Sequence, residues 1–245
     1  MKAIVLGASR GMGRALARQL AARGDRLFLL GRDLSQLRVS AQDLEIRGAP
    51  APVGAAYCNL LEPAGFASAL DQAWQSLDGA DAVIVTAGLF ADQETLENDP
   101  EATARLLSAD FTNTVLFCEE ARRRLLASGG GTLCAFGSVA GDRGRKPVVL
   151  YGAAKAGLAR YLEGLDHRFR RQGLKTVCVK PGFVRTGMTA GLKPPPFAGE
   201  PDAVARRALK AIDRGRPVVY APWPWRYVMQ VIRHLPRFVM RRVKF

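Results

Sequence analysis

Seven short apolar runs, each ending in a turn or small-residue segment and separated by stretches of helical periodicity, constrain this chain more than any other feature. They are KAIVLG, RLFLLG, PVGAAY, DAVIVTAG, GTLCAFGS, LKTVCVKPG and RPVVYAP. Runs that stay apolar, rather than alternating with polar residues, mark strands buried on both faces, and a helix between successive strands makes them parallel. Between the first two runs Met12, Leu16 and Leu20 recur at helical spacing until Gly24 stops them. Phe66, Leu70, Trp74 and Leu77 do the same between the third and fourth. The expected class is α/β: a doubly wound parallel sheet of about seven strands with helices on both faces. No internal repeat or low-complexity linker divides the chain, and 245 residues that are 48% apolar suit one large core. Residues 1–222 are expected to form a single domain. Within it, the Pro-rich LKPPPFAGEP belongs to a loop at 187–201 over the site. Residues 223–245 are expected to form a basic amphipathic tail.

Several function classes are disfavoured. The apolar run near the N-terminus, Ala3 to Leu6, falls short of the ~7 residues of a signal-peptide core, and no stretch reaches the ~18 apolar residues of a membrane-spanning helix. Cys58, Cys118, Cys134 and Cys178 lie far apart in apolar surroundings without a C-x-x-C pair, as buried thiols of a reducing cytosol would. His167 and His234 are the only histidines and have no ligand spacing, so no metal is expected.

The first run leads into GASRGMG, where Gly7, Ser9, Arg10, Gly11, Met12 and Gly13 stand between a strand and a helix. Glycine serves where backbone must turn tightly and approach a pyrophosphate without a Cβ in the way, and the helix N-terminus offers free N–H groups to the anion. This is the Rossmann-type dinucleotide arrangement. The second strand ends in LLGRD, with Arg32 where a ribose-binding carboxylate would usually stand. Together Arg10 and Arg32 suit a 2′-phosphate, so NADP(H) is preferred, with NAD(H) as the alternative if Asp33 takes the ribose.

In YGAAK, Tyr151 and Lys155 are four residues apart and share one helix face. A phenol with an ordinary pKa of ~10 is a poor acid or base at neutral pH, and a nearby ammonium brings it toward the working range. Ser138, at the end of the fifth run, can hydrogen-bond a carbonyl oxygen to which that phenol delivers a proton.

GASRGMG, TAG at Thr86 to Gly88, Ser138, YGAAK and KPGFVRTGM, in this order and spacing, resemble the classical short-chain dehydrogenases/reductases over essentially the whole chain. The resemblance implies that Ser138 polarises the carbonyl, Tyr151 is the general acid, and Lys155 tunes the tyrosine and holds the nicotinamide ribose. It further implies that Asn59 and Leu60 line the adenine, that Ala87 and Gly88 border the cofactor, and that Pro181, Gly182, Val184 and Thr186 lie against the nicotinamide. Three positions depart from the family pattern. Asn59 replaces an aspartate, Thr86 an asparagine, and Asp110 in SADFTN stands where a fourth catalytic residue, an asparagine, is usual. An ionised Asp110 would pair with Lys155 and blunt its pull on Tyr151, and Asn113 one turn later is the alternative donor. Family members commonly pair into homodimers or homotetramers through the helices carrying these residues.

The net charge of +14 is uneven: Arg214 to Phe245 contains eight Lys or Arg and no Asp or Glu. In the tail Val228, Val231, Ile232, Leu235 and Val239 form one helical face, with Arg226, Arg233, Arg237 and Arg241 on the flank. Such a helix suits an anionic membrane surface, or else packs on the sheet or a second subunit with solvated arginines. No nucleic-acid partner is expected, because the apolar face is too wide. The tail and AGDRGRK also resemble the bacterial reductases of decaprenylphosphoryl-2-keto-pentose. That implies a lipid-linked ketone whose phosphate meets Arg143, Arg145 and Lys146, and a location in the cytoplasm on the inner membrane face. The expected activity is NADPH-dependent reduction of a ketone to a secondary alcohol. A 3-ketoacyl thioester on an acidic carrier is the rival substrate, and a non-catalytic NADP(H) sensor or scaffold the rival class.

Overall fold

The computed structural model describes residues 1–243; Lys244 and Phe245, part of the expected tail, lie outside the described residues. In chain order the elements are β1 (Lys2–Leu6), α1 (Gly11–Ala22), β2 (Arg26–Gly31), α2 (Leu34–Ile46), β3 (Gly54–Tyr57), α3 (Phe66–Leu77) and β4 (Ala82–Val85). There follow α4 (Gln93–Asn98), α5 (Pro100–Leu107), α6 (Asn113–Ala127), β5 (Gly131–Phe136), α7 (Val149–Phe169), β6 (Leu174–Pro181), α8 (Pro201–Arg214), β7 (Val218–Ala221), α9 (Trp225–His234) and α10 (Arg237–Met240). Each of the seven apolar runs contains one strand. All pairings are parallel and the strand order is β3-β2-β1-β4-β5-β6-β7.

The side-chain period of two explains why these strands are apolar throughout. In β1, Ala3 and Val5 enter one core with Leu16 and Leu20 of α1 and Val204 and Ala208 of α8. Ile4 and Leu6 enter the other, with Leu70 of α3, Phe117 of α6 and Leu158 of α7. After β3 the chain returns to the middle of the sheet, so the ends of β1 and β4 lie side by side where the winding reverses. In sheets of this kind the ligand crevice opens at that point.

Two local features differ from the sequence expectations. Between α5 and α6 the helix widens into a π-turn over Ser108–Thr112, which carries Asp110. The tail is not one helix with one apolar face. Leu235 is extended (φ −62°, ψ 133°) because the following Pro236 excludes helical backbone there, and α9 ends. Met229 and Ile232 are buried, with Trp225, Val228, Tyr220 and Met240, against Val139 of the body, whereas Val231 is 64% exposed. No helix among the described residues is long and apolar enough to cross a membrane.

Candidate active site

The glycine loop leaves β1 with Gly7 at φ +98°, a conformation that favours glycine. A Cβ at Gly7 would meet Ala87 N at 2.6 Å, and one at Gly13 would meet the Gly7 carbonyl oxygen at 2.2 Å. The loop therefore fits against α1 and the end of β4 only without side chains. Arg10 is the N-cap of α1 without a capping side-chain bond, and the first turn of α1 has no acid, so its N–H groups and partial positive charge remain available to an anion. A cavity of about 220 Å3 lies beyond it. Gly7, Ser9, Arg10, Arg32, Asn59, Leu60, Ala87 and Gly88 line this cavity, as does Met188 from the 187–201 loop. This cradle and its cationic rim fit a dinucleotide pyrophosphate.

Asp33 is engaged elsewhere. It caps α2, accepting from Gln36 N at 3.0 Å and from the Ser35 hydroxyl at 2.7 Å, and these bonds hold its carboxyl below the usual range. That leaves exposed Arg32 and Arg10 at the ribose end. Asn59 turns back on its own loop, bonding Leu61 N (3.1 Å) and Glu62 Oε1 (2.8 Å). The other expected cofactor residues stand outside the cavity wall. Met12 packs partly against the core. Thr186 approaches the loop, 3.6 Å from a Cβ at Gly11. Val184 is buried and bridges to Gly199, and Gly182 N donates to Ala221 O at 3.0 Å after Pro181 closes β6.

The chemistry-bearing side chains converge beside the cavity. Lys155 is 5% exposed, with Nζ 3.1 Å from Asp110 Oδ2, 3.4 Å from Phe136 O and 5.6 Å from the Tyr151 ring centre. Asp110, fully buried, accepts from Leu89 N at 2.6 Å through Oδ1. Gly88 allows this approach, because a Cβ there would lie 3.0 Å from Asp110 Oδ1 and 3.3 Å from Lys155 Nζ. Ser138 Oγ accepts from Ala140 N at 3.1 Å, and its O–H faces the Tyr151 phenol, where it can also donate to a ligand oxygen. Phe90 packs edge-on to Tyr151 at 5.2 Å. Asn113 is not part of this cluster; it donates to Leu60 O at 2.7 Å and props the cavity wall.

The electrostatics correct one expectation. Burial pushes the Tyr151 phenol up, and with Asp110 adding to it this outweighs the downward pull of Lys155 and Ser138, so the phenol lies above rather than below its ordinary value. Burial lowers Lys155, but Asp110 and Tyr151 more than offset it, and the ammonium is held above its ordinary value. The carboxylate thus blunts the lysine's effect on the tyrosine. Two of the cations before Tyr151 also contact the tail. Arg143 donates to Leu235 O (2.8 Å) and Lys146 to Arg241 O (2.6 Å), so both hold the tail. Only Arg145 keeps a buried Nε without a partner, and burial lowers its pKa against the opposing charge of Asp142.

Sequence reasoning missed the clamp behind this site. Asp142, four residues after Ser138, is bound by Lys180 and accepts from the Tyr220 hydroxyl at 2.7 Å, tying the segment after Ser138 to β6 and β7. Trp225 fills the space over Gly182 and donates to Phe197 O at 3.1 Å. Neither has a sequence signal, because the partners are 38 or more and 28 residues apart and belong to no periodic pattern.

A dinucleotide cradle at the switch point of a parallel sheet, beside a Ser, Tyr and Lys cluster, defines an NAD(P)-dependent oxidoreductase. The chain belongs to the short-chain dehydrogenase family, whose model matches residues 1–196. It is 31% identical over 240 residues to an uncharacterized oxidoreductase of Mycobacterium tuberculosis, covering 98% of this chain and 96% of that one. It is 28% identical over 189 residues to the human 3-oxoacyl-[acyl-carrier-protein] reductase, covering 77% and 78%. Its fold superposes on a short-chain dehydrogenase from Sphingobium yanoikuyae in complex with NADPH with a TM-score of 0.82 and 25% identity, covering 100% and 97% of the two chains.

Proposed function

We propose that this chain reduces a ketone to a secondary alcohol with NADPH, a reading carried by the convergence of Ser138, Tyr151, Lys155 and Asp110 beside the dinucleotide cavity. Bound NADPH supplies the hydride. The Ser138 O–H donates to the carbonyl oxygen, and Tyr151, a phenol and so protonated at neutral pH, delivers the proton to that oxygen as negative charge develops. Lys155, anchored by Asp110 and Phe136 O, balances the phenolate left behind. Arg10 and Arg32 favour the 2′-phosphate, since Asp33 is committed to capping α2.

The substrate is read as a keto-sugar of a polyprenyl phosphate, consistent with the resemblance to decaprenylphosphoryl-2-keto-pentose reductases. Arg145, whose buried Nε has no partner, would meet its anionic group together with Arg143 and Lys146. The protein would then work in the cytoplasm on the inner membrane face. A 3-ketoacyl thioester is the second reading, supported by the similarity to the human 3-oxoacyl reductase. A homodimer through α6 and α7 suits the exposure of Leu116 on α6.

The test is NADPH oxidation by the full-length protein in anionic liposomes, with a polyprenylphosphoryl 2-keto-pentose and separately a soluble 3-ketoacyl thioester. Reduction of the lipid alone supports the first reading and of the thioester alone the second. Tyr151→Phe should lower kcat by about 10²- to 10⁴-fold while cofactor binding persists. An unchanged rate would refute the assigned acid, and cofactor binding without turnover on any ketone would favour a non-catalytic NADP(H)-binding protein. NADPH should outrun NADH, and Arg32→Asp should narrow that gap.

A further inference from the structure

Away from the dinucleotide cavity, a groove of about 1010 Å3 opens between α7, the edge strand β7 and α9. Its three carboxylates are already neutralised: Asp142 by Lys180, Glu163 by Arg160 and Asp166 by Arg170. Arg207, Arg216, Arg226 and Arg233 also line it, and among the described residues none has a carboxylate partner. Four uncompensated guanidiniums around one groove form a site for several phosphates.

The outer lip of the groove is aromatic. Trp223 and Tyr227 are 57% and 63% exposed and pack edge to face at 5.9 Å. Val231 continues the stripe four residues on, and Phe238 of α10 is 60% exposed. This stripe is distinct from the one that holds α9 to the body, which uses Val228, Met229 and Ile232. The tail therefore presents two apolar faces, one already docked on Val139 and the other directed outward.

We infer that the outward face of α9 and the basic groove beside it dock this protein on an anionic phospholipid bilayer, with Trp223, Tyr227 and Val231 at the interface and lipid phosphates on Arg207, Arg216, Arg226 and Arg233. Tryptophan and tyrosine settle at the headgroup level, and cations without neighbouring acids gain from the negative surface potential. A second copy of the chain fits this groove less well, since a symmetric contact here would bring Arg207, Arg216, Arg226 and Arg233 against the same four cations. The inference rests on the membrane-face location proposed above and not on the catalytic roles, because it concerns a surface outside the catalytic cluster.

The test is co-sedimentation of the full-length protein with vesicles of phosphatidylcholine alone and of phosphatidylcholine with phosphatidylglycerol in equal parts, at low and high salt. Binding is expected only to the anionic vesicles, weakened by salt, with a blue shift in tryptophan emission that Trp223→Phe diminishes. Arg216→Gln and Arg226→Gln should each weaken binding about fivefold, and Trp223→Ser with Tyr227→Ser should weaken it further without loss of NADPH binding. Equal binding to both vesicles, or none, would overturn the inference. So would a dimer in sedimentation velocity that the Trp223→Ser, Tyr227→Ser variant dissociates while wild type ignores vesicles, which would identify a second copy as the occupant. Ketone reduction without vesicle binding would sink this inference alone, and vesicle binding without reduction would sink only the catalytic one.

Discussion

Asp110 sets the character of the site at the scale of single residues. A neutral asparagine could accept the Leu89 N–H as well, but only a carboxylate holds Lys155 by charge while raising the Tyr151 pKa. A general acid works while protonated, so the rate of ketone reduction should fall as pH rises through the phenol's pKa. Removing a charge that raises this pKa moves the fall to lower pH. Asp110→Asn is therefore expected to shift the alkaline limb of kcat/KM to lower pH, as measured from pH–rate profiles with a fixed ketone. A limb that stays in place would mean that the carboxylate does not act on Tyr151. The sequence pointed to Ser138, Tyr151 and Lys155 by type and spacing, and to Asp110 through the family resemblance, and the fold brings Lys155 against Asp110 and Tyr151. The sign of the tyrosine shift was not legible there, because it depends on how deeply the cluster is buried.

At the scale of elements, the π-turn and the substrate loop are the informative ones. One extra residue per turn at Ser108–Thr112 re-aims Asp110 toward Lys155 and sends Asn113 to Leu60, a choice that helical spacing alone cannot make. In the 187–201 loop Phe197 adopts φ +63°, a strained conformation for a bulky residue, and its carbonyl accepts the Trp225 indole N–H. Trp225→Phe keeps a ring over Gly182 but removes that donor, at a cost of about 1 kcal/mol. Chymotryptic cleavage at Phe197 should quicken roughly fivefold, and KM should rise more than kcat falls. Unchanged cleavage would show that the loop does not depend on this bond. The strands, by contrast, were readable in advance, because burial on both faces makes a strand apolar along its length.

At the scale of the whole molecule, α9 and the residues up to Arg241 brace the segment after Ser138 and the 187–201 loop. α9 packs on Val139, Arg143 and Lys146 hold the carbonyls of Leu235 and Arg241, and Trp225 holds the loop. Truncation after Pro222 would uncover Val139 and leave Arg143 and Lys146 without these partners. Losing the burial of Met229 and Ile232 alone costs about 3–6 kcal/mol. The truncated protein should melt roughly 10 °C lower by calorimetry, and its ketone KM should rise even in detergent without lipid. An unaltered melting temperature would mean that the tail is not part of the folded body.

The order of apolar runs and glycines was enough by itself to determine a seven-stranded parallel sheet, its dinucleotide loop and the grouping of Tyr151 with Lys155, because these follow from local backbone needs and from side-chain periods of 2 and 3.6. Tertiary structure alone decided that the tail has a docked face and a free face, that Arg143 and Lys146 bond its carbonyls, and that burial overrides Lys155 at Tyr151. Each of these depends on desolvation and on contacts between residues far apart in sequence. Both are set only once the chain is packed.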